Sequence, residues 1–520
     1  MNEAHFAITV FIALLLVASG VVMATKWIRV PYTLALVIVG LVISPMHFLP
    51  VVHISPELIL LIFLPALLFE ASWNLKIDHL RENWRPILLL AVAGVILSVG
   101  VIGGIMHWAI GLSWSTALLF GAIISATDPV SVLALFKELG APKRLNTIVE
   151  GESLFNDGTA VVVFRIILGI VIGATGMEST GGMLLSSLRE FVVVVFGGLA
   201  VGALIGIAAS TITSYFDDHL LEITLTTITA YGSFLAAESL HVSPVIAVLA
   251  AGMIIGNYGR ARGMSPTTQV AVNSFWEYAA FVVNSLVFLL IGLEVQFAHL
   301  FDNKWMIAWA VAAMLIARMA AIYGLIPISN LLTEKIPFRW QHVLFWGGLR
   351  GSLSIALVLS LPVNLPGRQT LVALVFGTVI FSLLAQGLTI APLLRRLGLG
   401  RQNTGMSEFE LLQSDLLAEA AARAELEDML NRGMITDRIY RSMHPELNAR
   451  HSDLNAKLAE IDGIDAEIEL QHRKRVLERL IHARKARLMF LLREGMMADE
   501  THRTLNEKLD RQLSEILGGH

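Results

Sequence analysis

Ser125-Ala126-Thr127-Asp128-Pro129 breaks an apolar run that is otherwise long enough to cross a lipid bilayer. Proline removes a backbone donor and pushes the residue before it out of helical geometry. The run therefore predicts a membrane helix that unwinds part way, beside a carboxylate. A second interruption lies far downstream, at Gly347-Gly348-Leu349-Arg350-Gly351-Ser352, with three glycines and an arginine inside an apolar stretch. Unwound backbone at membrane depth survives only when it is buried in protein or lines a cavity.

A membrane helix needs ~20 mainly apolar residues, and the flanking sequence divides into thirteen candidate spans, the ninth of them short. They run approximately 6–24, 32–49, 57–74, 86–110, 115–136, 146–174, 186–214, 220–240, 243–257, 271–297, 305–331, 340–362 and 370–394. The eighth and ninth could merge into one. Basic residues cluster in the loops after odd-numbered spans: Lys26 and Arg29; Lys76, Arg81 and Arg85; Lys137, Lys143 and Arg144; Arg260 and Arg262; Lys335 and Arg339. Arg395 and Arg396 follow the last span, whereas the opposite loops offer only Arg189, Lys304 and Arg368. The positive-inside rule then places the N-terminus outside and the tail in the cytoplasm of a multi-pass cell (inner) membrane protein.

With the seventh span as linker, spans one to six and eight to thirteen form two six-helix units that enter the membrane from opposite sides. The two breaks fall in the fifth helix of each unit. Paired interrupted helices in inverted repeats mark the ion site of a secondary transporter. Proline and glycine are also common in membrane helices generally, so the breaks need support from chemistry.

Composition agrees with a lipid-solvated body and a water-solvated tail. Mean hydropathy is +0.68. Charged residues make up 15%, against roughly 25% in soluble proteins. From Arg401 to His520 there are 22 acidic and 18 basic residues, half of the chain's 80 charges. The expected division is 1–396, a transmembrane domain, and 397–520, a helical and regulatory cytoplasmic tail. The chain has no cysteine, which excludes disulfides and thiol chemistry. The net charge of −4 averages two unlike halves and gives no sign of nucleic-acid binding. Met1-Asn2-Glu3-Ala4-His5 lacks the basic start of a signal peptide, so the first apolar run is expected to be a retained helix.

An ionisable side chain at mid-membrane costs on the order of 2.5–3.5 kcal/mol by insertion scales, so each one needs a reason. The densest group is Glu150-Gly151-Glu152-Ser153-Leu154-Phe155-Asn156-Asp157-Gly158-Thr159. Ser153 and Asp157 are four apart and share a helix face, as do Glu152 and Asn156 on a neighbouring face. A carboxylate and a hydroxyl on one face are hard oxygen ligands that suit Na⁺, Li⁺ or K⁺ better than soft transition metals. Asp157 lies about seven residues in from the helix end, or ~10 Å. No basic residue shares its face within a turn, so a mobile cation is the simpler counter-charge. Glu152 faces elsewhere and reads as architecture, with Arg350 as its expected partner and Arg318 neutralising charge in the same core. Glu70 is either a satellite of the site or an acid reaching for the interface. Glu277 and Glu294 read as interhelical partners, and Arg165 either reaches for the interface or pairs with Glu294, its role staying open.

At these residues the chain resembles a known family. Thr127-Asp128-Pro129-Val130-Ser131, Glu150 to Gly158 and Gly347-Gly348-Leu349-Arg350-Gly351 are similar to the signatures of cation–proton antiporters of the NhaP/NHE branch. Phe63-Leu64-Pro65 through Phe69-Glu70, and Gly256-Asn257-Tyr258-Gly259, resemble its bacterial NhaP members. The resemblance covers roughly 10–396. It implies an all-α fold of about thirteen helices in inverted repeats with crossed broken helices, and a homodimer. A core domain would carry the ion past a static dimerisation domain. It also implies that Asp157 is the essential ion-binding acid. Ser153, Glu70, Asp128 and the Thr127 carbonyl would complete the cation shell. Asn156 would organise the crossing, and Glu152 would pair with Arg350. No cofactor is implied beyond the transported cation and H⁺.

The expected function is electroneutral exchange of one cation, Na⁺ first and Li⁺ or K⁺ as alternatives, for one proton at Asp157. The competing classes are a potassium-selective antiporter, a channel, and a membrane-embedded aspartyl enzyme using Asp128 and Asp157. In the tail, Leu411, Leu412, Leu416 and Leu417 show amphipathic spacing. The basic block 473–487 is a candidate contact for anionic lipid or simply a solvated helix face.

Overall fold

The computed structural model describes residues 3–28, 31–44, 58–173, 180–215, 218–294, 297–331, 333–399 and 404–459, with a few positions beyond. The chain divides into two compact units, Met1–Arg401 and Gln402–His520.

All regular structure among the described residues is helical. In the first unit, eight of the described helices are long and apolar enough to cross a membrane. Four shorter apolar ones accompany them: Thr9–Thr25, Tyr32–Ile43, Ile59–Asn74 and Pro244–Gly259. The helices His219–Ser239 and Pro244–Ile254 are separate, with Ser243 capping the second through its hydroxyl. Many large apolar side chains face outward, among them Leu16, Phe196 and Leu204. A bilayer, not water, is the natural solvent for such a surface.

Close packing depends on small residues, because lipid supplies little hydrophobic drive between helices. Gly198, Gly202 and Gly206 recur every fourth position along Thr180–Thr213 and lie against the backbone of Ser243, Ala247 and Ala251. The expected linker segment is therefore tightly docked on Pro244–Ile254. Gly40 and Gly292 bring Tyr32–Ile43 equally close to Pro266–Glu294. Nearer the start of Pro266–Glu294, aromatic groups join it to Leu64–Asn74: Phe69 meets Trp276 at 4.5 Å, and Trp73 donates to Asn273 at 2.6 Å.

Both sequence breaks are real breaks in the helices. Trp114–Ser125 stops and Val130–Leu139 restarts, with Ala126 to Pro129 between them. Phe338–Trp346 stops and Ser352–Leu359 restarts, with Gly347 to Gly351 between. One uninterrupted helix, Lys143–Gly173, carries the acid-rich run past both.

In the second unit, Thr404–Asn431 and Asp437–Ala459 form a helical hairpin whose turn holds Gly433 at φ +71°. Glu419 pairs with Arg450 at 3.0 Å. Leu426 is buried, whereas Leu411 and Leu417 are exposed, so the leucine spacing read from the sequence overstates that face. Apart from Arg484, the basic block 473–487 lies outside the described residues.

Candidate functional site

The two breaks cross each other. The backbone N–H of Asp128 donates to the carbonyl of Leu349 at 2.8 Å, joining the interrupted segments directly. Ser354 Oγ ties the second half-helix to the Ile123 carbonyl at 2.8 Å. A broken helix leaves unpaired carbonyls at one end and unpaired N–H groups at the next start. The crossing satisfies both with charge. Arg350 Nη1 donates to Ser125 O at 2.7 Å and Ala126 O at 3.0 Å, where the first half-helix ends. Asp128 accepts from Val130 N at 3.0 Å at the start of Val130–Leu139. Its carboxyl also lies against Gly351, just before Ser352–Leu359. Each charge opposes the partial charge of a helix end.

This corrects one pairing expected from the sequence. Arg350 is not the partner of Glu152. Arg318 is, through Nη1 to Oε1 at 2.7 Å and Nη2 to Oε2 at 3.0 Å. The physical reason is geometric: Arg350 is consumed by the carbonyls of the neighbouring break. Arg318, on Lys304–Asn330, presents its two-pronged guanidinium to the carboxylate. Arg318 also donates to Leu344 O at 2.9 Å, so one side chain links Lys143–Gly173 to the half-helix Phe338–Trp346. Sequence reasoning also missed Ser382 and Gln386. The Arg350 backbone N–H donates to Ser382 Oγ at 3.0 Å, and Ser382 donates to Gln386 at 2.7 Å. Both lie in a π-helical turn, Ser382–Gln386, which periodicity does not reveal.

The predicted ion ligands gather at the crossing. Thr127 Oγ1 donates to Ser153 Oγ at 3.1 Å, and Ser153 Oγ in turn donates to the Thr127 carbonyl. Asn156 Nδ2 bridges Thr127 Oγ1 at 3.3 Å and Glu152 Oε1 at 3.2 Å. The Asn156 Oδ1 is buried and accepts no hydrogen bond among the described residues. The side chain thus links the broken backbone to the Glu152–Arg318 pair, while Arg350 holds the crossing itself.

Asp157 is half-buried and lines a cavity of about 660 Å³. Thr127, Asp128, Ser153 and Glu70 line the same cavity. Glu70 accepts from Asn74 Nδ2 at 2.8 Å. Glu150, Glu277 and Lys137 line it as well. Glu152 does not; it is sealed among Arg318, Leu344 and Gly348. Arg165 faces a different cavity of about 450 Å³, which it shares with Glu238 rather than with Glu294. Glu294 lines a third, beside Arg368.

A cavity that brings the Asp157 carboxylate together with the Thr127 and Ser153 hydroxyls is suited to replacing the water around a small hard cation. The carboxylate would accept a proton equally well.

Similarity to known proteins agrees with this architecture. Residues 10–396 match the family described as sodium/hydrogen exchanger, transmembrane. The chain is 49% identical over 372 residues to the Na⁺/H⁺ antiporter ApNhaP of Aphanothece halophytica, covering 71% of this chain and 70% of that one. It is 39% identical over 514 residues to the Na⁺/H⁺ antiporter NhaG of Bacillus atrophaeus, covering 97% of each. The fold is shared with the sodium proton antiporter MjNhaP1 of Methanocaldococcus jannaschii. The TM-score there is 0.63 at 20% identity, over 77% of this chain and all of that one. With its helices broken and crossed beside a half-buried acid, and its sequence matched along nearly the whole first unit, the chain belongs to the sodium/hydrogen exchanger family.

Proposed function

We propose that this protein exchanges Na⁺ for H⁺, one for one, at Asp157, within a homodimer of thirteen-span protomers in the cell membrane. The observation that carries this is the half-buried Asp157 carboxylate at the end of an acid-lined cavity, flanked by Ser153 and Thr127 at the crossing of two broken helices. Asp157 would hold either one proton or one cation. Thr127, Ser153 and Glu70 would supply the remaining cation ligands, with Asp128 and Asn156 fixing the shape of the site. Occupied by either ion, the site is neutral. Bare carboxylate is not, and moving it through a low-dielectric barrier carries a desolvation penalty of several kcal/mol. Only the two loaded forms cross readily, which couples the fluxes without an external gate signal.

The cavity that reaches Asp157 is lined at its far end by Asn74, Lys137 and Asn146. These belong to the ends carrying the basic loops, which supports reading the cavity as inward-facing under the positive-inside rule. The tail, 397–520, would regulate exchange or support the dimer.

The test is dissipation of an imposed pH gradient by purified protein in proteoliposomes, with Na⁺, Li⁺ and K⁺ added in turn. Na⁺-driven proton movement is expected, with no accompanying current on a solid-supported membrane. Cation flux without proton flux would indicate a channel. A response to K⁺ alone would replace the sodium assignment.

A further inference from the structure

Two cavities approach Asp157 from opposite ends of one helix, and their charges are opposed. The inner one is lined by Glu70, Asp128, Glu150, Asp157, Glu277 and Lys137. Five carboxyls and one lysine give it a formal charge of −4. The outer one is lined by Arg165, Arg368 and Glu238. Two arginines and one carboxyl give a formal +1, an unexpected sign on a cation's path. Only a thin apolar layer separates them. Leu64 lines both cavities, and Val161, one turn beyond Asp157, already lines the outer one.

Arg165 is the first charge met beyond that layer. It lies two turns outward of Asp157 on the continuous helix Lys143–Gly173, or ~12 Å at 1.5 Å per residue. Its side chain is exposed and lines the outer cavity. Glu238 faces it from the end of His219–Ser239. Arg368 is less free, since its guanidinium donates to the carbonyls of Leu361 at 3.0 Å and Leu359 at 3.2 Å. Glu294 lies in the adjoining cavity, beside Arg368.

We propose that Arg165 is a fixed positive charge on the outer access route, which weakens capture of cations from outside and so favours their release there. This rests on the antiport assignment and on the orientation given above. Inner carboxylates concentrate cations at the cytoplasmic mouth, while Arg165 disfavours their stay at the outer one. The device makes apparent affinity sided without altering stoichiometry. Na⁺ and H⁺ carry the same charge, so the outer potential weakens both and leaves the equilibrium of exchange unchanged. Glu238 moderates the effect.

A cation entering through the outer cavity passes Arg165, whereas one entering from the inner cavity does not; at ~12 Å from Arg165, Coulomb's law gives a factor of about two in the local cation concentration at the dielectric of water and about ten at an effective dielectric of ~20. The experiment measures Na⁺ dependence of exchange with the full chain in everted and in right-side-out membrane vesicles, giving the inner and outer KM separately. Because the native chain has no cysteine, a single cysteine introduced in the tail and labelled with an impermeant maleimide verifies the orientation in each preparation. At alkaline pH, where protons do not compete for Asp157, Arg165→Gln is expected to lower the outer KM two- to tenfold, and more than the inner KM; in the acid limb the two effects cancel and the KM should not move. Arg165→Lys should keep the wild-type ratio, and Glu238→Gln should raise the outer KM. With wild-type vesicles active, an unchanged ratio in Arg165→Gln overturns the proposal and leaves antiport standing. A shift of the same sign in Arg165→Gln and Glu238→Gln overturns it too, because charge reversal demands opposite signs.

Discussion

Replacing Arg318 with glutamine removes the cation from a pair almost wholly sealed from solvent, with side-chain exposures of 8% for Arg318 and 3% for Glu152. Glu152 would lose the bonds at 2.7 and 3.0 Å and keep only that from Asn156 at 3.2 Å. The Leu344 carbonyl, which accepts from both Nε and Nη2, would lose those donors too. Breaking a buried ion pair from one side costs about 3–5 kcal/mol, because a charge is left uncompensated. That is a large part of a total stability of ~5–15 kcal/mol. Glu152→Gln is milder, since Arg318 keeps the Leu344 carbonyl. Adding Glu152→Gln to Arg318→Gln should recover part of the loss, with a coupling of about 1–3 kcal/mol. Thermal unfolding of the purified variants in detergent, followed by size-exclusion chromatography, provides the order. Arg318→Gln is expected to be the least stable, with the double variant above it. If Arg318→Gln matched the wild type, or if the two single losses simply added in the double variant, the pair would not be the clamp described.

At Gly351 an added methyl would overlap the Asp128 carboxyl, so Gly351→Ala should abolish exchange and lower the yield of folded protein; Gly100→Ala, with open space around it, should do neither. Ser153→Ala removes the hydroxyl that joins Thr127 to the site, and should raise the Na⁺ KM about two- to tenfold, on the scale of one hydrogen bond. Competition at one carboxylate also predicts that the apparent Na⁺ KM rises as pH falls, approaching tenfold per unit in the acid limb, while the rate at saturating Na⁺ is recovered; initial rates across a pH series provide the check. Asn156→Asp places a second carboxylate beside Asp157, and current on a solid-supported membrane should then accompany Na⁺ addition. An unchanged electroneutral response would mean that this side chain does not set the stoichiometry.

The breaks were legible because proline at 129 and glycines at 347, 348 and 351 act on the backbone locally, whatever surrounds them. The helices were legible because lipid demands long apolar runs. Their edges were less so: Thr180–Thr213 begins several residues before the apolar run read for it. Pairings over long sequence separations were not legible. Nothing near Glu152 distinguishes Arg318 from Arg350, since both are buried arginines and only the path of the second break decides which one is free. The same holds for Ser382 and Gln386, ordinary polar residues in a span until a π-helical turn sets Ser382 to accept from Arg350 and Gln386 to accept from Ser382. The Asn257 signature gained a physical meaning only in three dimensions. Its amide joins Leu75 O, Met253 O and Ile77 N, fastening the end of one helix to another. Arg165 could be placed on its helix from the sequence, but not in a cavity with Glu238.

The central claim is that Asp157 holds one proton or one cation and never both. Proton release on cation binding tests this most directly. Purified protein in detergent and weak buffer is mixed with NaCl, and the pH change is followed with an indicator dye across a range of starting pH. The wild type should release up to one proton per protomer, with a maximum where the site is protonated before Na⁺ arrives. Asp157→Asn should release none at any pH. Sodium binding without proton release in the wild type, or equal release from Asp157→Asn, would contradict the account.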